Sequence, residues 1–465
     1  MAGIGFDLRR AVYSRTGLLS RLRSYSSAGL ISSGPWIMTI VGLATLDAIS
    51  GRFAGRAEYE LFRGLVTYAF CFSLIAVGGL QMAVTRRIAD LLYAGRHEAI
   101  LPAFNVCVLA VGAFQAGTGA LFCVLADLPL GVSVAATVLY TVIGLTWMAL
   151  VWLNVTREHD EILRAFLAGL IVIVASVPFL DGADAATLLT FFTAGQTLTL
   201  AMLARAIVHG LACHGPRAVA ILDAPRRFPA VFATGLAYNA AIWADKIVLW
   251  VADGTGPHPW VRFHQLYDPA CFLAYLTAVP ALAVNLVRVE TTFYERYREY
   301  YGAILGGHPL ASIERLRGRM IAVMNYSARR LMRAQAALSL MAMVFAPQIL
   351  AAVGMPPEAV PAFRAACLGA YFHVMLLITL MMQMYFDLRR EALATSAAFL
   401  VLNLAFGIWS AELGPQTYGL GYAAAAMLSL LVAFTLLRAR LRELEYLTFS
   451  RQQFPAPAGE PAGAV

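Results

Sequence analysis

The 465-residue chain is 60% hydrophobic and only 13% charged, with a mean hydropathy of +0.70 and a formal net charge of +8. Soluble domains carry roughly twice that charged fraction, so a soluble globular protein of this length is excluded and a polytopic membrane protein is indicated. The positive balance then bears on membrane orientation and lipid headgroups, and no Arg-rich, aromatic-interleaved loop points to nucleic acid.

Residues 1–28 form a basic arm in which Ile4, Phe6, Val12, Leu18, Leu19 and Leu22 alternate with Arg9, Arg10, Arg15, Arg21 and Arg23. It reads as an amphipathic segment on the lipids of the inner leaflet. Its basic stretch is too long for a secretory n-region, and the apolar segment behind it is of full spanning length, so that segment reads as a retained helix.

Twelve apolar segments of about 20 residues follow. They lie near 29–50, 61–85, 100–125, 132–154, 162–179, 186–210, 229–251, 266–287, 331–353, 365–386, 392–413 and 418–437. With both termini cytoplasmic, twenty-nine Lys/Arg fall in cytoplasmic segments and five (Arg52, Arg56, Arg63, Arg262 and Arg364) on the outer side. That alternation supports the orientation and the even helix count.

The expected fold class is therefore an all-α polytopic membrane protein of twelve transmembrane helices. The linker 211–228 divides it into six helices over 29–210 and six over 229–440. The second set includes the longest cytoplasmic segment, 288–330. Residues 441–465 form a cytoplasmic tail that turns Pro/Ala/Gly-rich from Gln452. The symmetry rests on helix count alone, since no residue-level repeat is visible; repeated halves are common in secondary transporters.

Thirty-four of the thirty-five Lys/Arg residues are arginine. The single lysine, Lys246, follows Asp245 inside the seventh apolar segment. Ionisable groups there are functional candidates by default. Neighbours on a helix diverge by about 100°, so the two are not expected to neutralise each other fully, and each needs a further partner. Lys246 lies roughly 7.5 Å from the outer end at 1.5 Å per residue. It either snorkels outward between Trp243 and Trp250 or lines a passage. Asp245 lacks that reach and is read as lining the passage, where an acid suits a cationic or amino-sugar substrate or a coupling proton.

The other substrate-site candidates are Asn239, near mid-membrane on the same helix, Asp47 near the outer end of the first helix with Arg63 as a partner, and Asp268. An N-cap role before Pro269 competes with substrate binding for Asp268. His264, Tyr267 and Arg262 line the outer approach or sit at the interface. Asn105, Gln196, Asn285, Gln383 and Asn403 read as interhelical hydrogen-bonding groups, and His373 as a packing histidine. Ser33-Gly34-Pro35-Trp36 is either a gating bend or an interfacial helix start. Tyr294, Tyr297, Tyr300 and Tyr301 share one helical face, either as a sugar or glycosyltransferase platform or as anchors of a membrane-surface helix. The six cysteines form no CxxC pair, so neither disulfide nor zinc is expected, and no GxxxxGK[ST] motif is present. No cofactor and no catalytic residue is expected.

The opening MAGIGFDLRR, the segments GLISSGPWIM and IWADKIVLW, and the run YDPACFLAYLTAVPALAVNLVRVETTFYERYREYY together resemble the PelG family of Pel exopolysaccharide export proteins. That family belongs to the polysaccharide-transporter branch of the MOP flippase superfamily. The resemblance implies two six-helix lobes around a central cavity that opens alternately to each side of the bacterial inner membrane. It implies work beside a cytosolic Pel glycosyltransferase and other inner-membrane Pel proteins in biofilm matrix formation. The implied cargo is an N-acetylhexosamine-rich polysaccharide, partly cationic once deacetylated. It supplies no binding residues. A lipid-linked oligosaccharide flippase, a small cationic drug exporter, a membrane-embedded glycosyltransferase and a non-transporting scaffold are the competing readings. The short outer loop 252–265 argues against the enzyme.

Overall fold

The structure, a computed structural model, describes residues 38, 40–46, 55–156, 159–211, 219–288 and 292–450. The calls on the arm 1–28, on Ser33 to Trp36, on Asp47, on Cys213 and on the tail beyond Ser450 lie outside these residues.

Residues 40–46 are helical, as α1. The first half continues with α2 (Arg56–Tyr93), α3 (Ile100–Leu125), α4 (Leu130–Thr156), α5 (His159–Ala175) and α6 (Ala185–Gly210). After a short turn at Ala224–Arg227 comes α7 (Pro229–Ala252). Strands β1 (Thr255–His258) and β2 (Val261–Phe263) pair antiparallel as a hairpin, an element the all-α expectation lacks. Then follow α8 (Tyr267–Leu276), α9 (Val279–Arg288), α10 (Tyr294–Leu305), α11 (Leu310–Val344), α12 (Ala346–Ala352), α13 (Val360–Tyr385), α14 (Arg389–Leu413), α15 (Leu420–Arg442) and α16 (Leu444–Ser450).

Among the described residues, eight helices are long and apolar enough to cross a membrane, or nine if the α11–α12 pair, bent by 70°, counts as one span. The chain is an all-helical polytopic membrane protein apart from its hairpin. Side chains such as Leu109, Val124, Ile171, Leu340 and Val401 stand exposed on its outer surface. That surface would be an aggregation liability in water and is the expected lipid-facing one in a bilayer.

Two predicted spans are broken, both by proline. The segment 266–287 splits into α8 and α9 because Pro280 has no N–H for the carbonyl of Leu276. The chain closes instead with tighter bonds, Thr277 N–H to Ala274 O at 3.1 Å and Ala278 N–H to Tyr275 O at 3.0 Å. Pro347 likewise cannot serve the carbonyl of Met343. There Arg364 supplies the missing donor, its Nε reaching Met343 O at 3.0 Å. The segment expected at 331–353 also starts earlier, at Leu310, because the Arg-rich stretch before it continues the same helix. Tyr300 of α10 is fully buried, with Tyr297 and Tyr301 packed on the same cluster as Phe293 and Phe386. The tyrosine face is therefore largely a packing core.

The helices before the linker pack as α4 on α6, α3 on α4, α5 on α6 and α2 on α4. Those after it pack as α7 on α14, α13 on α15, α14 on α15 and α8 on α13. The main bridge between the two sets is α2 against α7. Its middle is a glycine crossing. A Cβ on Gly235 would run into the carbonyl of Gly78 and meet Met82 Cγ at 3.0 Å, and one on Gly79 would lie 2.8 Å from the carbonyl of Phe232. The two backbones approach as closely as they do only because these positions carry no side chain.

Candidate functional site

Helix α7 joins the two halves, and its polar residues divide by face. Asn239 faces α2, where its amide lies against Gly78. Its own Nδ2 donates to Gly235 O at 2.8 Å, so the amide is fastened within the glycine crossing.

One turn and a half further on, Asp245 and Lys246 face the second half and are sealed from solvent, at 2% and 0% exposure. Lys246 does not snorkel. Helical side chains lean toward the N-terminus, and its Nζ reaches back to Ile242 O at 3.3 Å. The flexible four-carbon stem then brings the ammonium within 3.1 Å of Asp245 Oδ2 and 3.3 Å of Oδ1. The 100° divergence expected of neighbours is thus overcome by side-chain length, and the pair does neutralise itself.

Each member also has further partners from other helices. Asp245 accepts from Tyr267 OH at 2.5 Å and from Asn403 Nδ2 at 3.1 Å. Lys246 donates to Tyr275 OH at 2.9 Å. Four ring centroids surround the ammonium, those of Tyr275 at 5.1 Å, Tyr422 at 5.5 Å, and Trp243 and Tyr267 at 5.9 Å. Such faces stabilise a desolvated cation. His373, read as a packing histidine, continues the row with both ring nitrogens satisfied. Its Nδ1 is 2.7 Å from Tyr422 OH and its Nε2 is 2.9 Å from Tyr238 OH.

Asp268 does not cap its helix. The helix α8 begins one residue earlier, at Tyr267, without a side-chain cap. The Asp268 carboxylate turns back, accepting from Trp250 Nε1 at 2.7 Å and from the His264 N–H at 3.0 Å. It ties the end of α7 to the hairpin. Arg262 does the same from β2, with Nε on Gly254 O at 3.0 Å and Nη1 on Val251 O at 3.1 Å, which satisfies carbonyls at the C-terminus of α7. The hairpin also reaches the first half. Tyr68 on α2 donates to Arg262 O at 2.9 Å, stacks edge-on with Trp250, and Arg63 lies over the Phe263 ring.

Beside this cap, Asp253 is half exposed and accepts from Tyr418 OH at 2.9 Å, with His264 Nε2 at 3.4 Å. His264 Nδ1 accepts the Tyr267 N–H at 3.1 Å, which assigns the proton of the neutral ring to Nε2. Burial pushes this imidazole below the ordinary histidine range, against the opposing pull of Asp253. A group depressed in the folded state contributes stability above its unfolded value and loses it as pH falls. The melting temperature of the purified protein is therefore expected to fall on acidification below about pH 6.5, more shallowly in His264→Gln. Equal slopes would refute the assignment.

Of the remaining polar calls, Asn403 and Gln383 bridge helices, Asn403 through Ala241 O at 2.7 Å and Gln383 through Ala433 O at 3.1 Å. Asn105 is exposed, and Gln196 is buried. An apolar groove of about 490 Å³ runs between α7 and α14, lined by Val248, Val251, Ile408 and Glu412 among others. Of the tyrosines in this row the sequence points only to Tyr267, as part of the outer approach; Tyr238, Tyr275 and Tyr422 it does not single out. Their signal was a phenol within an apolar helix, at Tyr238, Tyr275 and Tyr422, each needing a polar partner. Among the described residues no His/Cys/Asp/Glu group could hold a metal ion.

The chain is thus a multi-pass helical bundle in which α7, packed against both α2 and α14, carries a sealed ion pair. It is similar over 94% of its length to a MATE transporter in the straight conformation (97% of that chain, TM-score 0.61, 16% identity). It is equally similar to the outward-facing conformation of a multidrug resistance MATE family transporter of the MOP superfamily (94% of this chain, 97% of that one, TM-score 0.61, 17% identity). The inward-facing conformation of such a transporter matches at TM-score 0.59 and 15% identity, over 96% of this chain and 99% of that one. At these identities the likeness shows a MATE/MOP-like fold. The chain belongs to the PelG family, described as "Putative exopolysaccharide Exporter (EPS-E)", which it matches over residues 1–449. That is a family of transporters, not of enzymes. No curated protein matches the chain.

Proposed function

We propose that this protein moves a Pel-type, N-acetylhexosamine-rich exopolysaccharide, or its precursor, across the bacterial inner membrane from cytoplasm to periplasm. The observation that carries this reading is the family match over residues 1–449 on a MOP-type transporter fold. A cytosolic glycosyltransferase and other inner-membrane Pel proteins are its partners in building the biofilm matrix, and both termini are cytoplasmic, in line with the arginine distribution. Twelve helices in two six-helix lobes around a central cavity belong to this reading, and the eight described helices long and apolar enough to span, or nine with the bent pair joined, support its multi-pass character. In this reading α2 and α7 part during the cycle. The parting uncovers Asn239 first, and Asp47, Asp245, Lys246 and Asp268 complete the polar set offered to an amino-sugar chain.

The test is vesicles containing the purified protein and the synthase, supplied with sugar nucleotide outside. Polymer protected inside is the expected result. Polymer made at the normal rate but always accessible outside would leave the scaffold reading in its place. A lipid-linked oligosaccharide protected inside, without polymer, would leave the flippase reading.

A further inference from the structure

We propose that the paired helices α10 and α11 form a docking arm for an acidic, partly apolar surface of the cytosolic polysaccharide synthase. The proposal rests on the export reading above and names the face of the chain that takes the partner.

The arm has one packed side and one open side. Ile313, Met320, Leu331 and Gln335 are buried along α11. Ile313 and Met320 share a core with Tyr300 and Ile304 of α10 and with Met382, Leu437 and Leu441 of α13 and α15. Arg317 turns to that side and pairs with Glu445 of α16. Arg315, Arg319, Arg329, Arg330 and Arg333 are all exposed. At 3.6 residues per turn these five share one face, within roughly 100° of arc and opposite the packed side. Tyr326, 56% exposed, stands in the same row. Among the described residues none of the five is paired with a carboxylate. Arg333 reaches a backbone oxygen instead, that of Arg329 at 3.3 Å. Like charges one turn apart, as at Arg315 and Arg319 and at Arg329 and Arg333, weaken a helix. A partner with carboxylates along the row reverses that cost.

The turn between the two helices adds an apolar tip. Gly306-Gly307-His308-Pro309 closes α10, with the His308 N–H on Ala303 O at 3.0 Å and the Gly307 N–H on Ile304 O at 3.1 Å. Gly307 takes the left-handed φ of +65° that this closure requires. The turn is thus fixed by its own hydrogen bonds. It holds Leu305 and Leu310 out on either side, at 86% and 57% exposure.

Length along the helix favours a protein over the membrane as the occupant. Leu310 begins α11 and Arg330 lies near its middle. They are roughly 30 Å apart at 1.5 Å per residue, whereas the headgroup layer is only about 5–8 Å deep. Where the apolar half of α11 spans the bilayer, phospholipid phosphates meet Arg329, Arg330 and Arg333, and the two leucines stand beyond their reach. Membrane orientation accounts for arginine near a span, but not for leucines at the end farthest from it. The sequence outside the described residues holds only scattered acids, Asp7, Asp47, Glu158, Glu290 and Glu460, so the complementary charge comes from another molecule. Apolar anchors beside exposed arginines and a tyrosine are the composition of a protein-binding face, and the charges set its specificity.

The experiment measures binding of the purified synthase to the full chain in nanodiscs. The variants are Arg315→Glu/Arg319→Glu, Leu305→Ser/Leu310→Ser and the charge-matched control Arg96→Glu/Arg438→Glu, whose arginines are exposed at the end of α2 and on α15. All six positions are exposed, so melting temperatures should stay at the wild-type value. Each arm variant is expected to weaken binding by about tenfold or more, with the control unchanged. Added salt should weaken the wild type and leave the residual binding of the arginine variant as it is. No binding by the wild type, or wild-type affinity in the arginine variant, would overturn the proposal. Equal weakening by the control would overturn it too, since the attraction would then be one of net charge. So would a loss confined to discs of phosphatidylglycerol and absent from discs of phosphatidylcholine, which would make the row a lipid contact. In the export vesicles, an arm variant that has lost binding should lose polymer entry. Unchanged entry would end the docking role and leave export standing, whereas synthase binding by the wild type without any polymer entry would end the export reading and leave the arm.

Discussion

Asp245→Asn and Lys246→Met are each expected to destabilise the sealed protein by roughly 3–5 kcal/mol, and their combination to recover most of that loss. The reason is burial. Both side chains are within 3% of full occlusion, so removal of either charge strands the other in a low-dielectric interior. Asparagine keeps an oxygen for Tyr267 OH but cannot balance the ammonium, which Tyr275, Ile242 O and four ring faces only partly support. Methionine keeps the volume of the lysine stem but leaves the carboxylate with Tyr267 and Asn403 alone. The double variant has no stranded charge, and the phenols and amide remain to bond one another. Thermal unfolding of the four proteins in one detergent closes the cycle. Additive losses, with the double variant as low as the sum of the singles, would mean that the pair is not coupled and that the sealed geometry is wrong.

Gly235→Leu is expected to cost more than the roughly 1–3 kcal/mol of ordinary overpacking, because its first added atom meets backbone and not a side chain that could swing away. The obstacle is the carbonyl of Gly78 on α2, with Met82 Cγ at 3.0 Å behind it. Relief requires α2 and α7 to separate, which would also pull Asn239 from its place against Gly78. Gly79→Leu should behave alike, since Phe232 O stands 2.8 Å from its would-be Cβ. Gly117→Leu is the control: it lies on a helix surface with nothing within 4 Å, and it should be neutral or slightly stabilising. Melting temperature and polymer export measured on the same preparations check this. Normal export by Gly235→Leu with an unchanged melting temperature would show that the crossing is neither tight nor needed.

The spans were legible because hydropathy over about 20 residues reports membrane burial directly. Their interruptions were visible only as prolines whose consequences depend on neighbours. Pro280 and Pro347 barely change the hydropathy of their windows, yet each frees a carbonyl, and Arg364 is in place to take the one at Met343. The length of α11 was hidden for the opposite reason: its first half is rich in arginine, so a hydropathy window ends where the helix does not. The hairpin at 255–263 is too short and too polar to register, although it fastens α7 to α2 through Arg262 and Tyr68.

That the Asp245-Lys246 step is anomalous could be read from the sequence alone, since charges in an apolar segment need partners. Its role could not. The distance from the helix end allowed Lys246 to snorkel, and adjacency argued against pairing. Asp268 looked like a cap because local sequence describes only local bonds, whereas its partners, Trp250 and His264, come from the preceding helix and the hairpin.

The amino-acid sequence by itself determined that this is a multi-pass membrane protein, where most of its helices run, and which step on the seventh is anomalous. These follow from solvent preference and periodicity, which are properties of consecutive residues. Only the tertiary structure decided that the lysine turns inward, that Asp245 is held by Tyr267 and Asn403, and that Gly78 and Gly235 bring the two halves into contact. Those outcomes depend on partners 22 to 158 residues away in the chain, and on the lower cost of sealing a charge among matched phenols, amide and rings than of leaving it unpaired.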